Sequence, residues 1–249
     1  MEPAEYDAMY QLEDNLWWYQ GQAKIATRLF ERYLPKTGAK LKILDCGAGS
    51  GGSLRYLQPL GEVTAFDITR LALDFYLKRQ RGRVVQASVE SIPFADAGFD
   101  VATLFDVLAC VDTPEAVQRS LGEVARVVKP GGYLFWREPA FMFLHGPHDV
   151  ATHTYHRFTR GEFASRLESA GFTPRKLSYS NSILFPVAAA RRLSAKAFKS
   201  NGAAPRSDVR PVAEPLNSVL ARVLAAEAPL VTSSGLPAGL SVLALAQKR

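Results

Sequence analysis

Four glycines crowd into Asp45-Cys46-Gly47-Ala48-Gly49-Ser50-Gly51-Gly52, directly after a short apolar run. Glycines at this spacing give a tight turn after a strand and let the backbone approach a ligand closely. Gly47, Gly49 and Gly52 satisfy G-x-G-x-x-G, so a nicotinamide-dependent oxidoreductase has to be weighed. Asp45 argues against it. A dinucleotide sets its pyrophosphate at the N-terminus of the next helix, where positive potential is wanted. A carboxylate about 4 Å away would cost roughly 4 kcal/mol at an effective dielectric of about 20. A ligand with a sulfonium and an α-ammonium in place of phosphates turns that repulsion into attraction, and S-adenosylmethionine is such a ligand. Asp67, at the end of the next apolar run, can accept from the two ribose hydroxyls of either cofactor. A helix-capping aspartate would look the same in sequence.

A second cluster lies later in the chain. All four histidines fall within His145-Gly-Pro-His148-Asp149-Val-Ala-Thr-His153-Thr-Tyr-His156-Arg157. Three chemistries fit. One histidine could act as general base toward a hydroxyl or amine, its ordinary pKa being suited to that. Two or three of them with Asp149 could bind a divalent metal that orients the acceptor. Or the stretch is a hydrogen-bonded lid with His153 and His156 satisfied by backbone. His148 and His153 are the candidate catalytic residues, and His145 is assigned to the substrate side. Aromatic residues near the N-terminus (Tyr6, Tyr10, Trp17, Trp18, Tyr19) could close over a cation, which gains from aromatic faces. Tyr10 and Trp17 are assigned to the substrate pocket, and Trp18 to packing.

The elements that must carry these residues alternate between short apolar runs and segments of helical period. Strands are expected at Leu41–Cys46, Glu62–Phe66, Arg83–Ala87, Phe99–Phe105 and Tyr133–Arg137, then at Lys176–Ser182 and Ser241–Ala246. Helices are expected at Ser53–Leu60, from Thr69 as cap through Lys78, and along Val117, Leu121, Val124 and Val128 until Pro130-Gly131-Gly132 stops them. Thr159 and Glu162 form a capping box. The glycine run then follows the first strand, Asp67 the second, and the histidines the fifth, all at carboxyl ends, where open α/β sheets bind ligands. Strands alternating with helices imply a mostly parallel sheet covered on both faces. Tyr6–Leu34 reads as a helical stretch of N-terminal helices, and two helices, at about 183–199 and along Leu216 to Leu224, fill an insert before the last strand.

At 249 residues, with 47% apolar and 22% charged residues, the chain is an ordinary globular α/β protein with an elaboration. No stretch reaches the roughly 18–20 apolar residues of a membrane span. The acidic, tyrosine-rich N-terminus is not a secretion signal, so the cytoplasm is expected. Cys46 and Cys110, too few and too far apart for a disulfide framework or zinc site, are expected as free, buried thiols. Of the net charge of +6, most lies between Arg191 and Arg210, where Arg191, Arg192, Lys196, Lys199, Arg206 and Arg210 face Asp208 alone. That segment could be a solvated surface or could meet an anionic partner or membrane surface. A nucleic-acid binder would spread basic and aromatic residues over a face, so nucleic acid is not expected.

Ile43–Gly51, Asp67, Ser91-Ile92-Pro93-Phe94, Phe99-Asp100-Val101 and Val128-Lys129-Pro130-Gly131-Gly132 stand in the order seen in class I S-adenosylmethionine-dependent methyltransferases. The chain resembles their bacterial type 11 family from about Leu41 to Pro139. The resemblance implies a seven-stranded, Rossmann-like doubly wound sheet and assigns donor contacts. Asp45, Gly47, Gly49 and Gly51 would meet the methionine part, Asp67 and Ile68 the ribose, and Ser88 and Val89 the adenine. Phe105 and Asp106 would line the methyl-transfer face. The family usually has an aspartate where Ser88 stands, and a Glu-His pair where Ala109-Cys110 stands, so that histidine's role is absent. The expected organisation is an N-terminal helical cap over 1–40 and a methyltransferase domain over 41–249, with 183–234 as helical insert. The expected function is methyl transfer to a small-molecule acceptor; a non-catalytic binding protein of the same fold and a nicotinamide oxidoreductase are the alternatives.

Overall fold

The computed structural model describes residues 2–36, 38–79, 83–197 and 209–249. The strands are β1 Leu41–Cys46, β2 Gly61–Asp67, β3 Arg83–Gln86, β4 Phe99–Phe105, β5 Val128–Pro139, β6 Phe172–Ser180 and β7 Ser241–Lys248. They form one seven-stranded sheet in the order β3-β2-β1-β4-β5-β7-β6. Every pair is parallel except those of β7, which runs antiparallel to both β5 and β6. The helices are α1 Pro3–Leu12, α2 Trp17–Tyr33, α3 Leu54–Leu57, α4 Arg70–Arg79, α5 Pro114–Val127, α6 Pro147–Ala151, α7 Arg160–Ser169, α8 Phe185–Ala197, α9 Leu216–Ala225 and α10 Ala228–Thr232.

Alternation along the strands sorts the core into two layers. Leu44, Cys46, Ala102, Leu104, Leu134 and Trp136 point to the side covered by α5 and α7, where Trp136 stacks on Phe163 at 3.6 Å. Ile43, Val101, Phe135, Leu243 and Leu245 point to the other side, under α2, α9 and α10. Asp45, Thr103 and Arg137 share that second face by the same two-residue period. They are the polar ends of three apolar rows, and they end beneath α2.

The N-terminal helical stretch divides into two helices, because the chain breaks at Glu13–Leu16, where polar Asp14-Asn15 interrupts the apolar stripe. Three expectations need correction. The helix after the glycines is one turn, Leu54–Leu57, and β5 begins at Val128, so Pro130-Gly131-Gly132 lies inside a strand that starts early. Cys46 is buried as expected, but Cys110 is exposed, because it lies on the 3-10 turn Leu108–Cys110 and not in a strand. Among the described residues no helix is long and apolar enough to cross a membrane.

Candidate active site

The loop after β1 is tied to the tip of β2. Asp67, 7% exposed, accepts from the Gly49 N–H at 3.0 Å and from the Thr69 N–H at 2.9 Å. Gly49 has φ +53°, a region that penalises side chains, and a Cβ there would stand 3.0 Å from the Met9 methyl. Asp45 lies fully buried behind the loop. Its carboxylate accepts from the Ser53 hydroxyl and, at 2.7 Å, from the Thr103 hydroxyl. Burial pushes its pKa up to about 6, against those two hydroxyl donors. No ion pair reaches it among the described residues.

Helix α1 lies across this loop. Tyr6 donates to the Thr69 hydroxyl at 3.1 Å, so Thr69 serves the N-terminal helix as well as the start of α4. Glu13 accepts from the Ser50 hydroxyl and pairs with Arg79 at 3.0 Å. Tyr10 packs on Phe75 with ring centroids 5.0 Å apart, and the Arg79 guanidinium covers its other side at 4.5 Å. Trp17 packs into the second core layer beside Trp18, and its backbone N–H donates to the Asn217 side-chain oxygen at 2.8 Å, which fastens α2 to α9.

At the carboxyl ends of β4 and β5, Phe105 pairs in register with Arg137. Asp106 follows with φ +60°, strained for an aspartate, and its carboxylate pairs with the Arg137 guanidinium. Glu138 points to the opposite face. It accepts from the Leu108 and Ala109 N–H groups at 2.8 and 3.1 Å and from the Trp136 indole at 2.8 Å. Burial and nearby Asp106 push its pKa up to about 8 despite those three donors.

The histidine stretch docks on the turn that Glu138 holds. The Ala109 carbonyl accepts from the Tyr155 and His156 N–H groups at 2.8 and 3.2 Å. Asp149 is held in a fork by Arg157 at 2.8 and 3.1 Å, with Arg192 at 3.6 Å, so it is committed to arginines and is no metal ligand. Among the described residues no group of three His, Cys, Asp or Glu could hold a metal ion. His145 bonds the Thr154 carbonyl at 3.0 Å, and His148 is half-buried on α6. His153, at φ +55°, is exposed and reaches Glu2 at 3.0 Å; His156 reaches Glu162 at 2.9 Å. The partners of His153 and His156 are therefore carboxylates, and not the backbone groups of the lid reading. Since the Glu2 N–H also donates to the Ala151 carbonyl at 3.2 Å, α1 spans from the histidine stretch to the glycine loop.

Residues 44–136 match a family model described as a methyltransferase domain. Over this segment the chain is similar to type 11 methyltransferases. The chain is 33% identical over 120 residues to a malonyl-[acyl-carrier protein] O-methyltransferase of Enterobacter lignolyticus, covering 47% of each chain. It is 34% identical over 142 residues to a ubiquinone/menaquinone biosynthesis C-methyltransferase of Shewanella oneidensis, covering 51% of this chain and 54% of that protein. The chain thus matches about half the length of these curated relatives. In fold it is similar to a SAM-dependent methyltransferase, possible histamine N-methyltransferase, of Thermotoga maritima. That match has a TM-score of 0.62 at 17% identity and covers 99% of this chain and 96% of that one.

Within this segment, the remaining assigned residues lie around the β2–β3 edge. Ile68 is exposed, with its carbonyl taking the Gln86 amide at 2.9 Å; the Ser88 hydroxyl accepts from the Glu90 N–H at 3.2 Å; Val89 is buried against the first core layer. Sequence reasoning passed over Ser53 and Thr103, which hold Asp45, and over Glu13, Arg137 and Glu138. Thr103 and the Arg137-Glu138 pair did leave a signal, since each interrupts an apolar strand with a polar group. Glu13 left none, because only the helix break at Glu13–Leu16 brings it onto the loop.

Proposed function

We propose that this chain transfers a methyl group from S-adenosylmethionine to a small-molecule acceptor in the cytoplasm. The carrying observation is the pair of aspartates around the glycine loop. Among the described residues Asp45 is a buried carboxylate served only by hydroxyls, and a cationic ligand above the loop would complete its electrostatics. Asp67 uses part of its acceptor capacity on two N–H groups, and a carboxylate offers about four lone-pair sites, so positions remain for ribose hydroxyls. These residues fit the sulfonium cofactor and not a pyrophosphate. When bound, S-adenosylmethionine supplies an electrophilic methyl carbon and a thioether leaving group.

The chain's own contribution is to bind, orient and exclude water. Gly47, Gly49 and Gly51 cradle the methionine part, Asp67 and Ile68 hold the ribose, and Ser88 and Val89 meet the adenine. Phe105 and Asp106 line the transfer face. On the acceptor side stand Tyr10, Trp17 and His145, with His148 or His153 as general base. One relative methylates oxygen and another carbon by name, so kinship does not hand this chain an acceptor atom. Residues 1–40 act as a cap and 183–234 as an insert beside the pocket. Peripheral contact with an anionic surface falls to Arg191 and Arg210, both exposed, because Arg192 turns inward to Asp149; Lys199 and Arg206 lie outside the described residues. Calorimetry tests the reading: S-adenosylhomocysteine should bind and NAD and NADP should not. Tight nicotinamide binding with no response to S-adenosylhomocysteine would overturn it, and labelled donor with metabolite extracts would then have no product to reveal.

A further inference from the structure

Among the described residues two arginines are buried, and they are treated differently. Arg157 is satisfied: its guanidinium forks onto Asp149 and donates to the Ala140 carbonyl at 3.0 Å. Arg137 is 5% exposed, yet among the described residues the only hydrogen bond of its guanidinium is the one from Nη2 to Asp106. Its Nε is buried with no partner at all. A guanidinium carries five N–H donors, and leaving them unpaired away from water is costly.

The surroundings of Arg137 explain what is missing. The Trp18 ring stands 4.8 Å from its central carbon and the Phe105 ring 5.2 Å. These contacts hold the planar group by its aromatic neighbours and leave its N–H edge for polar partners. Glu138, next in sequence, cannot serve: it faces the other side of the sheet, and both its oxygens are engaged by three N–H groups. Asp106 is half-buried and supplies one contact. The position is the carboxyl end of β5, in register with Phe105 and beside the loop where the methyl-transfer face is assigned.

We propose that Arg137, caged by Trp18 and Phe105, is a carboxylate-binding residue whose free guanidinium edge takes the carboxylate of a ligand of this site. Two ligands could bring one: the methionine end of the donor, an arm that rests on the methyltransferase reading, or a carboxylic-acid acceptor. A planar fork matches a carboxylate in two parallel hydrogen bonds, which an ammonium could not copy.

The test compares wild type with Arg137→Gln by calorimetry, using three probes. S-adenosylhomocysteine carries the amino-acid carboxylate; 5′-methylthioadenosine has the same nucleoside and thioether without it; benzoate is titrated into protein saturated with S-adenosylhomocysteine. If the donor's carboxylate is bound, the variant loses at least tenfold in affinity for S-adenosylhomocysteine and keeps that for methylthioadenosine. If an acceptor's is bound, both nucleosides bind as before, and benzoate binds wild type and not the variant. Equal losses on both nucleosides, or no change on any probe, make Arg137 an internal partner of Asp106 and overturn the proposal. Should Arg137→Gln not fold, Asp106→Asn decides: releasing the guanidinium should tighten S-adenosylhomocysteine or benzoate several-fold with methylthioadenosine unmoved, and unmoved affinities for all three overturn it. A wild type that binds no S-adenosylhomocysteine defeats the methyltransferase reading, and the benzoate comparison, then run on the protein alone, still judges Arg137.

Discussion

Replacing Asp67 by alanine separates two roles that its geometry joins. The carboxylate ties the loop internally, through Gly49 and Thr69, and is assigned to the ribose hydroxyls. Hydrogen bonds to a charged group contribute about 1.5–3 kcal/mol each. Both N–H groups belong to half-exposed residues and can turn to water, so the internal loss should come to about one such bond. At about 2–4 °C per kcal/mol for a chain of this size, melting should fall by roughly 3–12 °C. Loss of the ribose contacts should weaken S-adenosylhomocysteine by a further ~1.5–3 kcal/mol, about 10- to 150-fold in dissociation constant. Calorimetry and thermal unfolding on one preparation give both numbers. A lowered melting temperature with unchanged S-adenosylhomocysteine affinity would show that Asp67 only ties the loop, and the ribose assignment would be wrong.

Asp45 should make ligand binding depend on pH. Burial raises its pKa to about 6, the α-ammonium that S-adenosylhomocysteine shares with the donor favours the ionised form, and affinity should therefore fall as pH drops through that value. At pH 5 S-adenosylhomocysteine should bind about tenfold more weakly than at pH 8, and Asp45→Asn should flatten the profile; a flat wild-type profile refutes the electrostatic role. Gly49→Val should abolish donor binding in a folded protein, since φ +53° costs a β-branched residue roughly 1–2 kcal/mol and the side chain, its Cβ 3.0 Å from the Met9 methyl, forces the loop out of shape. Near-normal calorimetric binding would place the ligand elsewhere. If a histidine is the general base, His148→Ala or His153→Ala should lower turnover about 10²–10⁴-fold with donor affinity intact. Unchanged turnover in both variants makes the stretch a lid, and catalysis then rests on positioning.

What could be read from the residues was whatever local period or local chemistry carries. The glycine run, the acid after β2 and the five parallel strands each announce themselves within a few positions, and the observed strand order follows from the fold they imply. What could not be read depends on distant segments meeting. Glu13 reaches Ser50 only because the chain breaks after α1 and lays that helix over the loop. In sequence His153 is a candidate base with no visible partner; the fold sets it against Glu2, far away in sequence but brought close by the same helix. The departure from the family pattern at Ala109-Cys110 has a comparable resolution. Here the turn offers backbone: two N–H groups to Glu138 below and one carbonyl to Tyr155 and His156 above. A strand-end carboxylate thus anchors the turn, and the turn anchors the histidine stretch. Its position against the transfer face is consequently set by Glu138, and changes at that buried residue should be felt at the histidines before they are felt at the glycine loop.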